Sequence, residues 1–258
     1  MSIPGDLRAA LDALAGAPSV LVACDFDGVL APIVDEPSAA RALPASAEAL
    51  AALGALDGVA VALVSGRAMD SLRQVSGPPA GALLVASHGA EGDGAPTDLD
   101  PAQRALLARV VDAVRAVVET HPGTSLELKP AGAVLHTRTA ARDVAADASR
   151  AVEEGPGRWD GVLALRGKEV VELSVVEADK GSALVALRDR LGERTGGRPA
   201  VLYAGDDVTD ENAFRVLDPA AGDVGIKVGD GDTAAEFRVG TPADVSAVLH
   251  HLENVFRV

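Results

Sequence analysis

The residues best placed for chemistry are acids set directly after apolar runs. "VLVACDFDGVLAPIVDEP" (20–37) carries Asp25 and Asp27, and "YAGDDVTDENAF" (203–214) carries Asp206, Asp207 and Asp210. Carboxylates brought this close raise one another's pKa unless a cation intervenes. A donor set of oxygens alone, with no His or Cys in support, suits Mg²⁺. One Asp-x-Asp by itself reads equally well as solvated acids at a strand end. Two such clusters favour a metal site, yet a metal does not name a reaction. Two further stretches narrow it. "VSGR" (64–67) places Ser65 after an apolar run and just before a helical stretch, where a hydroxyl and free backbone amides can take an anion. "EADKGSAL" (177–184) places Lys180 at a helix start, offering an ammonium to phosphate. Singly, Ser65 is an ordinary cap and Lys180 an ordinary surface charge; in this order with the acids, they point to phosphate chemistry.

Those residues need a frame. Apolar runs recur at 19–26, 59–66, 81–89, 199–207 and 224–229, without the alternation of a half-exposed strand. Ala/Leu-rich helical stretches separate them, for example 44–56, 67–75 and 180–194. Strand alternating with helix predicts a parallel, Rossmann-like sheet covered on both faces, whose ligands sit beyond the strands' carboxyl ends. "DFDG", "SGR", "SHGAEG" and "GDDVTDE" all fall at such ends. The middle of the chain differs. A helix near 101–119, the strands "TSLELK" and "AVLHTR", a helix near 140–154 and the strands "GVLALR" and "EVVELS" form an αββαββ unit. Its strands alternate apolar with polar residues, predicting an antiparallel sheet with one packed face and one open face. The expected organisation is an α/β core at 1–97 and 177–258 with an inserted α+β cap domain at 98–176.

Composition sets outer bounds. The 258 residues are 48% hydrophobic and 2% aromatic, so a core of Ala, Val and Leu is expected and disorder is excluded. A formal net charge of -15 disfavours nucleic acid as a partner. One cysteine, Cys24, cannot form an internal disulfide. The N-terminal "MSIPGDLRAALDALAG" lacks the basic start and apolar block of a signal peptide, and no apolar run approaches a membrane span. A monomeric cytoplasmic protein acting on a small molecule, away from membranes, is the expectation. Of 23 basic residues only Lys129, Lys168, Lys180 and Lys227 are lysine. A chain that defaults to arginine invites a reason for each.

The order DFDGV, SGR, DKG, GDDVTDE resembles the four motifs of the haloacid dehalogenase superfamily of phosphotransferases, spread over the whole chain. More narrowly, "DFDGVLAPIVDEP", "SHGAE", "SLELK" with "LHTR", "GKEVVEL" and "YAGDDVTDENAF" with "IKVG" are similar to trehalose-6-phosphate phosphatases. Two departures are "LHTR", where an aromatic commonly separates His136 from Arg138, and "ASHGAE", with Ser87 where asparagine is frequent. The resemblance implies an Mg²⁺-dependent phosphatase with a cap of the C2 type. Asp25 would attack phosphorus, and Asp27 would serve as acid and then base while lending its carbonyl to the metal. Asp206 would be a further ligand, with Asp210 and Asp207 in or near the metal shell. Ser65 and Lys180 would hold phosphate oxygens. Arg67, His88, Glu127, Lys129 and Glu172 would bind substrate, the last three gripping the sugar distal to the phosphate. A cross-strand ion pair would explain Lys129 and Glu172 equally, and a structural histidine would explain His88. Lys168 reads as part of a hairpin turn, and Lys227 has no assigned role. Gly92, Gly94 and "VVEADKG" are candidate hinges for cap closure. The rival readings are a phosphatase for another sugar phosphate and a non-catalytic regulatory subunit on the same fold.

Overall fold

The computed structural model describes residues 3–93, 99–167 and 169–257. Gly94, a candidate hinge, and Lys168 lie outside the described residues. The chain divides into two compact units, Met1–Ala95 with Asp179–Val258, and Pro96–Ala178.

In chain order the first unit contains α1 (Gly5–Ala15), β1 (Val20–Cys24), α2 (Pro44–Gly54), β2 (Val59–Val64), α3 (Met69–Ser76), β3 (Leu83–Ala86) and β4 (Glu91–Gly92). The second contains α4 (Pro101–Thr120), β5 (Ser125–Lys129), β6 (Gly132–His136), α5 (Arg142–Glu154), β7 (Leu163–Gly167) and β8 (Val170–Ser174). The first then resumes with α6 (Lys180–Thr195), β9 (Ala200–Gly205), α7 (Glu211–Arg215), β10 (Val224–Val228), β11 (Phe237–Val239) and α8 (Pro242–Phe256).

The first unit is a seven-stranded sheet in the order β11-β10-β9-β1-β2-β3-β4. Every pair in it is parallel except β3 with β4. β1 explains the unbroken apolar runs, because all five of its residues are buried. Val20, Val22 and Cys24 join the core under α1, α2, α3 and α8, while Leu21 and Ala23 face the core under α6 and α7. Alternate residues therefore enter opposite apolar layers, which is why the run shows no polar alternation. Cys24 is fully buried, which pushes its thiol up to about 12 with help from Asp25, so it behaves as a small apolar residue. The helix expected from residue 67 starts at Met69, leaving Gly66 and Arg67 as an open turn after β2. No described helix is long and apolar enough to cross a membrane.

The second unit is an antiparallel sheet in the order β5-β6-β8-β7. Glu127, Val134, Glu172 and Leu165 lie side by side across it, so they share one face. The opposite face supplies Ala133, Leu135, Val171 and Leu173, which pack with Val110 and Val114 of α4 and Ala148 and Val152 of α5. This is the one-sided amphipathic sheet that the alternation predicts. Leu135→Ala removes a fully buried side chain and is expected to cost about 2–5 kcal/mol. Leu128→Ala, at a position 60% exposed, should change stability by less than about 0.5 kcal/mol. Urea unfolding of the two variants checks the contrast, and equal effects would contradict this core assignment.

Candidate active site

The acids converge where β1 and β9 end. Asp25 continues the ladder beyond β1, its N–H donating to the Ala204 carbonyl at 2.9 Å. Its carboxylate is buried, accepting from the Phe26 N–H at 2.6 Å and from Lys180 Nζ at 2.5 Å. Lys180 is the first residue of α6, behind an Asp179 cap that closes a reciprocal capping box with Ser182. That cap fixes where the helix begins, so it fixes where the 1% exposed ammonium points. Its second acceptor is Asp210 Oδ1 at 2.7 Å.

Asp210 is fully buried and saturated with donors. Oδ1 accepts from Lys180 and from the Tyr203 hydroxyl at 2.6 Å; Oδ2 accepts from the N–H groups of Asp206 and Asp207 at 3.0 and 2.9 Å. Close approach here depends on absent side chains. A Cβ on Gly205 would sit 2.4 Å from Asp210 Cγ, and one on Gly181 would sit 2.4 Å from the Asn212 carbonyl oxygen. Gly28, at φ +75°, turns the chain after Asp27, and a Cβ there would lie 1.9 Å from Asp206 Oδ2.

Asp27 is engaged differently. Arg67 grips it with two bonds, Nε to Oδ2 at 2.5 Å and Nη2 to Oδ1 at 2.7 Å, while its guanidinium lies over the Phe26 ring at 5.6 Å. Ser65 is buried, and its Oγ accepts from the Arg67 N–H at 3.3 Å. This turn is clamped from outside. The N–H groups of Ser87 and His88 donate to the carbonyls of Arg67 and Ser65 at 2.7 and 3.0 Å. Both clamp residues take positive φ, 48° and 55°, a strained state for side-chain-bearing residues. Glu91 ties the clamp, accepting from Ser87 Oγ and from the Met69 N–H. The His88 ring lies against Gly66, where a Cβ would meet Cε1 at 2.4 Å.

In the second unit, Lys129 Nζ donates to Glu172 at 2.9 Å, and His136 Nε2 lies 2.7 Å from Glu127 Oε2. The hydrogen bond from His136 holds the Glu127 carboxyl below its ordinary range, with Lys129 contributing. Thr137, standing where an aromatic is frequent, is buried and donates to the Glu169 carbonyl at 3.0 Å.

The structure thus gathers Asp25, Lys180, Asp206 and Asp210 in one cluster and places Asp27, Arg67, Ser65 and His88 in a linked turn. Glu127, Lys129 and Glu172 lie on the second unit's open face. Asp207 is exposed, with its side chain capping the following turn. Sequence reasoning gave no role to Tyr203, Ser87 or Glu91, although Ser87 and Glu91 both fall in the "SHGAE" stretch at a strand end.

Ligand atoms of Asp25, Asp206 and Asp210 come within 4.8 Å of one another. Burial, with Asp210 and Asp206 beside it and against the pull of Lys180, pushes Asp25 up to about 7. Burial and Asp210 push Asp206 up to about 6. Burial alone would lower Lys180, but Asp25 and Asp210 outweigh it and keep the ammonium charged. Carboxylates in excess of cations, all oxygen donors and no His or Cys, are a donor set suited to a hard divalent cation.

A family model described as trehalose-phosphatase matches residues 23–242. The chain belongs to the trehalose-phosphatase family. It is 36% identical over 243 residues to the trehalose-phosphate phosphatase of Mycobacterium tuberculosis, covering 90% of this chain and 61% of that one. With the Mycobacterium avium enzyme it shares 37% over 260 residues, covering 95% and 65%. It therefore spans less than two thirds of the length of these curated relatives. Among solved structures, the C-terminal domain of Candida albicans trehalose-6-phosphate phosphatase has the same fold, with TM-score 0.76, 22% identity and 98% of each chain covered. Aspergillus fumigatus trehalose-6-phosphate phosphatase superposes with TM-score 0.67 at 28% identity, covering 96% of this chain and 97% of that one.

Two outcomes follow from this acid cluster. Carboxyls raised by burial hold protons more tightly folded than unfolded, so their cost accrues as pH climbs from the unfolded value of 3.8 to about 7. A divalent cation should therefore raise the melting temperature more at about pH 8 than at about pH 5; calorimetry with EDTA or Mg²⁺ checks this, and an increment independent of pH would refute it. Gly28→Ala, which drives a Cβ into Asp206, should weaken cation binding in the same assay.

Proposed function

We propose that this chain is an Mg²⁺-dependent phosphatase that hydrolyses trehalose 6-phosphate through an aspartyl phosphate on Asp25. The observation carrying the reading is the buried Asp25–Lys180–Asp210 bridge at the carboxyl ends of the parallel strands. It holds a buried carboxylate oxygen fixed beside a permanent cation. The family membership and the activity named for the mycobacterial relatives support the choice of substrate.

Asp25 forms a bond to phosphorus as the phosphorus–oxygen bond to the sugar breaks. The departing sugar oxygen takes a proton from Asp27. Water then attacks the aspartyl phosphate and gives a proton to Asp27, the bond from Asp25 to phosphorus breaks, and the acid is restored. A carboxyl that donates a proton cannot accept from a guanidinium at both oxygens, so the Arg67–Asp27 fork must open during the cycle. Arg67 is two residues from Ser65, and an incoming phosphate is a suitable exchange partner for a bidentate guanidinium. Lys180 and the Ser65 hydroxyl stabilise charge on the non-bridging oxygens. Mg²⁺, when held by Asp25 and Asp206, would neutralise charge between the nucleophile and the phosphate oxygens. Asp210 has every acceptor position used, so its part is to orient Lys180 and the 206–207 backbone. Glu127, Lys129 and Glu172 recognise sugar hydroxyls, which both donate and accept. Leu163 and Leu165, each 47% exposed, offer apolar surface on the same open face.

Phosphate release from trehalose 6-phosphate, glucose 6-phosphate, sucrose 6-phosphate and an aryl phosphate, with and without Mg²⁺, tests the reading. Trehalose 6-phosphate should be preferred and Mg²⁺ required; a flat profile would reduce the assignment to a general sugar phosphatase. Asp25→Asn should abolish release, and Asp27→Asn should lower kcat by about 10²–10⁴-fold. Glu172→Ala should lower kcat/KM for trehalose 6-phosphate by about 10–100-fold, the loss of a charged hydrogen bond, and leave the aryl phosphate unaffected. Loss of release in a folded Asp25→Asn disposes of the regulatory-subunit reading, whereas full release by that variant would overturn Asp25 as the nucleophile.

A further inference from the structure

Lys227 is one of the chain's few lysines and plays no part in the mechanism above. It lies on β10, next to β9 in the sheet, paired in register with Gly205. Only 4% of it is exposed. Its Nζ donates to the backbone carbonyl of Asp206 at 2.6 Å. Its other neighbour is Glu211, whose Oε1 lies 3.9 Å away. Glu211 is itself buried; Oε2 accepts from the Ala234 N–H at 2.8 Å, and Oε1 has no hydrogen-bond partner among the described residues. An ammonium buried this deeply is costly unless its donors are used.

The contact fixes one peptide plane. The carbonyl of the 206–207 peptide is held by Lys227, and its N–H, belonging to Asp207, is held by Asp210 Oδ2 at 2.9 Å. The preceding N–H, of Asp206, is held by the same Asp210 oxygen at 3.0 Å. Charged side chains on two sides thus define the backbone from which the Asp206 carboxylate extends over Gly28. That carboxylate receives no side-chain hydrogen bond among the described residues, so its position depends on the backbone that carries it.

We propose that Lys227 is a positioning residue for the cation site. By clamping the Asp206 carbonyl it aims the Asp206 carboxylate at the place shared with Asp25, and its charge offsets part of the acid excess from the side opposite Lys180. The inference rests on the proposed reading of the acid cluster as an Mg²⁺ site. Partners that hold a metal ligand in place commonly change metal affinity about 10–100-fold when removed.

The test is calorimetric titration of Mg²⁺ into the metal-free protein, without substrate, for the wild type, Lys227→Met and Lys227→Gln. Lys227→Met keeps the length of the side chain and removes donor and charge. Its dissociation constant for Mg²⁺ should rise by about 10–100-fold. At saturating Mg²⁺, kcat and KM for the phosphate ester should stay within about threefold of wild type, since Lys227 touches neither Asp25 nor Lys180. A merely structural role would instead lower the melting temperature and leave the dissociation constant of the folded fraction unchanged. Lys227→Gln, neutral but able to donate, should fall between the two; if Lys227→Met does not fold, Lys227→Gln alone decides. Wild-type Mg²⁺ affinity in either folded variant overturns the proposal. A wild-type protein that binds no Mg²⁺ overturns the reading of the cluster itself, a different result.

Discussion

Everything in the site follows from one buried ammonium shared by two carboxylates. Lys180 joins Asp25, beyond β1, to Asp210, in the turn after β9, from the first residue of α6. Breaking a buried pair leaves an uncompensated charge and costs about 3–5 kcal/mol, so three segments distant in sequence are held to one geometry. The glycines are where that geometry meets steric limits. Gly28, Gly181 and Gly205 each lie where a Cβ would collide with an acid or with a backbone carbonyl of this cluster. The site also carries more negative than positive charge among groups in contact. Burial, with the neighbouring acids adding to it, raises Asp25 and Asp206, and a divalent cation would relieve the excess of negative charge.

The lysines show how an acidic chain spends its few ammonium groups. Lys129, Lys180 and Lys227 have side chains 6%, 1% and 5% exposed, each facing a carboxylate. An ammonium is a compact point charge on a slender stem, and it enters such slots where a planar guanidinium would not. Arg67 is the instructive contrast. Its flat fork takes both oxygens of Asp27 from a half-open turn, a geometry suited to exchanging one anion for another.

Much of this was legible in the residues. Strands buried on both faces announce themselves by unbroken apolar runs, and the acids fall at the carboxyl ends because that edge is where such a sheet opens. The αββαββ unit was equally plain, since β5 and β8 alternate with the period of a one-sided sheet. What escaped was short or non-local. β4 and β11 have two and three residues, too few for any period to show. The Arg67–Asp27 fork, the Tyr203–Asp210 bond and the Lys227–Asp206 contact join residues that carry no mark of their partner in sequence. The strained Ser87–His88 backbone is a tertiary product, imposed by the carbonyls of Ser65 and Arg67. Thr137 shows the converse: the position where an aromatic is frequent here holds a small side chain engaged with the Glu169 carbonyl, a contact internal to the second unit.

The claim on which the account turns is that Asp25 itself takes the phosphoryl group. Rapid acid quench of enzyme mixed with trehalose 6-phosphate and Mg²⁺, followed by peptide mass spectrometry, tests it directly. The account predicts one phosphoryl group on the peptide containing Asp25, appearing and decaying within turnover and absent from Asp25→Asn. Turnover with no phosphorylated peptide at any quench time, or with the group on another residue, would contradict it.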